Sequence, residues 1–170
     1  MLTYAAWTER PQFRYGIEEV VNGDVRITPP NKIHIANIND ELAGILRSQV
    51  DRKRIQVVTG ILNLVIRKAP LTVRVPNFAV FERANIVEMD GYVHSAPELV
   101  VEVVSREKIW DYESLGVPEL WVLSPEVRTV EIMQLSAART LETVAIVNQG
   151  QIRPKLFPQV SVDVASIWPH

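Results

Sequence analysis

Alternation along Glu98–Val104 puts Glu98, Val100, Glu102 and Val104 on one face of a strand, with Leu99, Val101 and Val103 on the other. Glu102 thus lies between two valines in a run that is apolar on both faces, the pattern of a central strand. A carboxylate in that setting loses much of its hydration unless it gains a cation, a hydrogen-bond donor or a proton. Two chemistries meet this demand: a structural ion pair with one of the 18 Lys and Arg residues, or an acidic site that serves a reaction.

Other reactive classes find no support. The chain has no cysteine, which excludes thiol nucleophiles, disulfides and Cys-ligated zinc. No serine sits in a G-x-S-x-G turn, and the glycines never cluster into a phosphate-binding loop. His34, His94 and His170 are too scattered for metal-ligand spacing. The densest basic group is Arg47, Arg52, Lys53 and Arg54, with Arg67 and Lys68 nearby in sequence. Arg52, Lys53 and Arg54, just past a helix end, suit either phosphate contact or a solvated turn that complements the helix dipole.

The elements that must position these groups read as a mixed α/β order. Short strands flank Asn22-Gly23-Asp24, a strong hairpin signal. Asn31 stands as a cap for a helix over Lys32–Val50, where Ile35, Ile38, Leu42, Ile45 and Leu46 form one stripe. Strands are expected at Gln56–Thr59, Asn63–Arg67, Leu71–Val75 and Asn77–Phe81, then a polar loop to Ala96. After the Pro97–Ser105 strand come a short helix over Arg106–Leu115 and strands at Glu119–Leu123 and Thr129–Leu135. The tail reads as a β-rich C-terminal extension with a hairpin at Asn148-Gln149-Gly150.

At 170 residues, 47% hydrophobic and 22% charged, the chain suits one domain spanning 1–170. Its net charge of −2 confines any nucleic-acid site to a local patch. No apolar run is long enough to span a bilayer, and Met1–Arg10 lacks the order of a signal peptide, so no membrane association and a cytoplasmic location are expected.

Pro76-Asn77-Phe78-Ala79-Val80-Phe81, followed after a loop by Ala96-Pro97-Glu98-Leu99-Val100-Val101-Glu102-Val103-Val104-Ser105, resembles the core of the Uma-type restriction endonucleases, within the PD-(D/E)XK nuclease superfamily. Asp111-Tyr112-Glu113-Ser114, Gly116–Trp121, the segment Glu19–Val25, Pro29-Pro30 and His34 extend the resemblance over almost the whole chain. It implies a restriction endonuclease-like core, a mixed central sheet flanked by helices. It also implies Mg²⁺- or Mn²⁺-dependent hydrolysis of DNA, and a homodimer. Carried over by position, Glu102, Lys108 and Asn77 would be catalytic, and Glu102, the Val103 carbonyl, Asn77 and Glu19 would hold the metal. Arg52, Lys53 and Arg54 are the candidate DNA contacts.

Departures from the family pattern accompany these matches. Asn77 replaces the first Asp, Asn22 the Asp before the hairpin Gly, and Val104 the usual lysine; the segment from Ser105 to Lys108 is short. They point to weakened or lost catalysis. The alternative is a catalytically degenerate relative that binds DNA or a protein, and a third reading is an assembly protein that self-associates through its tail.

Overall fold

The computed structural model describes residues 1–11 and 16–169; His170 lies outside them. A short helix α1 (Tyr4–Thr8) precedes the hairpin β1 (Ile17–Val21) and β2 (Asp24–Thr28). Asn22 and Gly23 both take positive φ, 52° and 85°, as a two-residue turn between twisted strands requires. Helix α2 (Ile33–Gln49) follows, with Lys32 at its cap and no side-chain capping bond. Asn31 therefore lies one residue too early to cap it, contrary to the expectation.

Then come β3 (Ile55–Thr59), β4 (Leu64–Lys68), β5 (Leu71–Arg74) and β6 (Phe78–Glu82). The expected polar loop contains a small hairpin, β7 (Glu88–Met89) and β8 (Tyr92–Val93), turning at Asp90-Gly91 with φ of 55° and 80°. Tyr4 ties α1 to this hairpin, its hydroxyl donating to Asp90 at 3.0 Å and lying 3.1 Å from His94 Nε2. Strand β9 (Leu99–Val103), helix α3 (Ile109–Leu115) and β10 (Glu119–Ser124) form a parallel crossover unit. Gly116 ends α3 at φ 88°, a left-handed cap. The chain finishes with β11 (Thr129–Leu135), β12 (Leu141–Val147), β13 (Gln151–Ile152), β14 (Val162–Asp163) and a 3-10 turn at Val164–Ile167.

The strands assemble into two six-stranded mixed sheets rather than one, in the orders β2-β1-β5-β4-β8-β7 and β12-β11-β10-β9-β6-β3. Strand β9 is central in the second, as its apolar faces predict. The tail differs from the expected extension. Strands β11 and β12 belong to the central sheet, and β13 pairs with β14, not with β12 across Asn148-Gln149-Gly150.

The alternation of β9 separates two cores. Leu99, Val101 and Val103 pack with Ile38, Leu42 and Leu46 of α2 and with Val160, Ile167 and Trp168 of the tail. Val100 faces the other way, toward Tyr112 of α3 and Leu64 of β4. Glu102 shares that second side, where α3, β1 and β5 converge.

Candidate active site

Glu102 is 1% exposed. Its Oε1 accepts from the Tyr112 hydroxyl at 2.5 Å and lies 3.4 Å from Lys108 Nζ. Burial pushes its carboxyl up to about 7, against the opposing pull of Lys108 and of the Tyr112 hydrogen bond. Tyr112, fully buried beside this carboxylate, is held well above the usual phenol range by burial and by the Glu102 charge.

Lys108 reaches the site despite the short segment before it. Val104, which occupies the usual lysine position, sits at φ 68° with its side chain 66% exposed. A left-handed β-branched residue is strained, and here it marks the point where β9 ends and the chain turns toward α3. Lys108 then caps α3, and its ammonium touches three oxygens: Val75 O at 2.8 Å, Glu19 Oε1 at 2.9 Å and Glu102 Oε1 at 3.4 Å. Two carboxylates and a carbonyl thus surround one cation.

Glu19, on β1, is held by more than Lys108. Its Oε1 also accepts from the Val75 backbone N–H at 2.7 Å, and its Oε2 from Arg74 Nη1 at 3.1 Å. Arg74 is itself 3% exposed and donates through Nε to Asp111 at 2.7 Å. Asp111 in turn meets Arg67 at 3.4 Å, and Arg67 donates to Asn22 at 2.8 Å. Glu19 is therefore the hub of a chain of ion pairs joining β1, β5 and α3.

Asn77 lies in the turn before β6, and its Oδ1 accepts from the Val103 backbone N–H at 2.9 Å. This bond fixes Asn77 against the end of β9, next to Glu102. Arg52, Lys53 and Arg54 do not join this group. They occupy the turn before β3, the Arg54 guanidinium pairs with Glu82 at 3.0 Å, and the Arg52 carbonyl accepts from Arg83 at 2.9 Å. None of the three lines the cleft, which meets β3 at its opposite end, about 16 Å along a five-residue strand. Arg47 is tied to β3 as well, donating to Val57 O and Thr59 Oγ1.

Three members of the cluster escaped sequence reasoning: Arg74, Asp111 and Tyr112. Each left a signal. Arg74 interrupts the apolar run from Leu71 to Val75, and Lys108, Asp111 and Tyr112 stand at i, i+3 and i+4, one face of a helix.

The cluster forms the floor of a cleft of about 870 Å³. Glu19, Glu102, Lys108 and Asn77 line one side, Asn39 and Asp40 of α2 another, and Gly60-Ile61 a third. Among the described residues no three His, Cys, Asp or Glu side chains converge as a metal cage. Mg²⁺ asks for less, since it keeps several waters and takes one or two carboxylates besides substrate oxygens. The oxygens gathered around the Lys108 ammonium are donors of that hard type, so the residues fit such an ion in kind, with Lys108 as a resident competitor.

An open cleft at the end of a central β-α-β unit, floored by a buried acid and a lysine, belongs to a nuclease-like architecture. The chain is similar in structure to a putative nuclease belonging to DUF820 from Anabaena variabilis ATCC 29413, with a TM-score of 0.79 and 17% identity over 98% of this chain and 97% of that one. Residues 2–165 match the family described as Uma2, putative restriction endonuclease, and the chain belongs to that family. None of the curated proteins matches it significantly. No helix among the described residues is long and apolar enough to cross a membrane.

Proposed function

We propose that the cleft is a weakly active endonuclease site that hydrolyses DNA phosphodiester bonds with Mg²⁺ or Mn²⁺. The observation that carries this reading is the Lys108 ammonium held between Glu102 and Glu19 at the cleft floor. Glu102, the Val103 carbonyl and Asn77 would hold the ion, with Glu19 beside them. When bound, the ion supplies Lewis-acid polarisation of the phosphate and a more acidic water.

The chain's own residues account for the remaining roles. Glu102 Oε1 is engaged by Tyr112 and Lys108, which leaves Oε2 as the oxygen that orients a water. A carboxyl near pH 7 is well matched to accepting that water's proton as its oxygen attacks phosphorus and the bond to the leaving oxygen breaks. Lys108 faces the negative charge that develops on the phosphoryl oxygens. Arg74 and Asp111 act indirectly, by fixing Glu19 and the start of α3.

Two features favour a second reading, a degenerate nucleic-acid-binding module. Asn77 brings no charge and already accepts a backbone bond, and Lys108 already counters the two carboxylates. Nicking of supercoiled plasmid in Mn²⁺ decides between the two. Slow nicking by the wild type that disappears in Glu102→Gln is the expected result. DNA binding without nicking would leave the binding module, and nicking that survives Glu102→Gln would place the activity elsewhere.

A further inference from the structure

Helix α2 directs an apolar stripe at the core, and Asn39 stands within it. Ile35 precedes it by four residues, and Leu42 and Leu46 follow by three and seven, all on one face. A polar side chain at such a position needs partners, because an unpaired buried amide gives up its hydration for nothing. Asn39 is 7% exposed, and its Oδ1, shut off from solvent, has no hydrogen-bond partner among the described residues. The residue lines the cleft across from Glu102 and Lys108.

The surroundings of Asn39 narrow what it can meet. Its neighbour on the α2 wall is Asp40, and Lys108 on the opposite side is the one cation among the described lining residues. An anionic phosphate is therefore drawn to Lys108 and repelled from α2. A neutral group with hydrogen-bonding edges suits the α2 wall, and a side-chain amide, with donor and acceptor side by side, is the usual partner of a base edge.

We propose that Asn39 reads a base of the nucleotide that lies beside the phosphate held at Lys108, and so sets sequence preference. The proposal rests on the nuclease reading above. A randomised DNA duplex library, bound in Ca²⁺ with Mg²⁺ omitted and then sequenced, reports preference, and anisotropy titrations at several salt concentrations report affinity. The wild type is expected to enrich particular bases. Asn39→Ala should lose that enrichment and bind about tenfold more weakly, with an unchanged salt slope, because no phosphate contact is removed. It should melt no lower than the wild type, since it deletes an unpartnered buried amide. If Asn39→Ala does not fold, Asn39→Ser is read in the same assays.

Unchanged binding and preference in the variant would overturn the proposal and leave the nuclease reading standing, as would a lower melting temperature with binding intact. A shallower salt slope, meaning a phosphate contact, or an affinity loss shared by all sequences would also overturn the base assignment. Failure of the wild type to bind DNA at all would remove the nuclease reading and this inference with it.

Discussion

Glu102 and Glu119 are equally buried, each 1% exposed, near each other on adjacent parallel strands, yet their surroundings differ in kind. Glu119 accepts from Trp121 Nε1 at 2.8 Å, Gln134 Nε2 at 2.9 Å and the Lys155 backbone N–H at 3.2 Å. Those donors are neutral, fixed and distributed over both carboxylate oxygens. Glu102 instead meets a phenol and an ammonium on one oxygen, at the floor of an open cleft. Burial pushes both carboxyls up, and in Glu119 the surrounding N–H donors pull back. A buried acid is thus not a site by virtue of burial. What separates the two is whether the partners can themselves move charge, and whether a substrate can reach them.

The sharpest break in this contrast is expected at Arg74. Its guanidinium is the buried counter-charge for Glu19 and Asp111, and removing one partner leaves the others uncompensated. Arg74→Met should cost about 4 kcal/mol in urea unfolding, with Lys108 and Glu102 losing their alignment. A cost under about 1 kcal/mol would mean that the network is solvated and contributes little.

Glu102→Gln should do the opposite. In the unfolded chain the carboxyl ionises near 4.5, but in the folded protein only near 7. Between those values the folded protein binds more protons, so stability is fully present below about 4.5 and is lost as pH rises through 7. A neutral isostere that keeps Oε1 for Tyr112 and Lys108 should therefore be more stable than wild type at pH 8 by roughly 3 kcal/mol. The difference should vanish near pH 4. Parallel stability curves for the two proteins would show that Glu102 titrates normally.

Glu119→Gln tests the other half of the comparison. Donors address both of its oxygens, so the new amide N–H₂ must face one of them. A loss of about 2 kcal/mol is expected, with nicking activity and metal response unchanged. Activity that fell with Glu119 would blur the distinction between the two acids.

The alternation that isolates Glu102, the hairpin at Asn22-Gly23 and the stripe of α2 were all legible in the sequence, because local periodicity alone determines them. Sheet membership was not. Strands β11 and β12 look like a tail extension in sequence and join the central sheet in space, since antiparallel pairing is decided by partners far along the chain. The site was half legible for the same reason. Glu102, Asn77 and Lys108 come from segments next to one another in the motif, whereas Arg74 enters from the other sheet and joins Asp111 and Glu19 only after folding. Asn39 was hidden among the polar residues of its helix until burial singled it out.

The smallest stability effect, and the most informative about chemistry, is expected at Asn77. Asn77→Asp keeps the acceptor for the Val103 N–H and adds a negative charge beside Glu102 and Lys108. The added repulsion toward Glu102 and attraction toward Lys108 should largely cancel, so unfolding stability should move by no more than about 1 kcal/mol. Divalent ions respond differently, because Mg²⁺ and Mn²⁺ favour anionic oxygen and the Lys108 ammonium has only one charge with which to compete. Calorimetric titration should show Mn²⁺ affinity rising about tenfold, equivalent to 1.4 kcal/mol, with nicking rising alongside it. Tighter metal binding without nicking would locate the defect in Lys108, which a divalent ion must displace from Glu102. No change in metal affinity would mean that Asn77 serves β9 alone, and would align Glu102 with Glu119 as an acid kept for the fold.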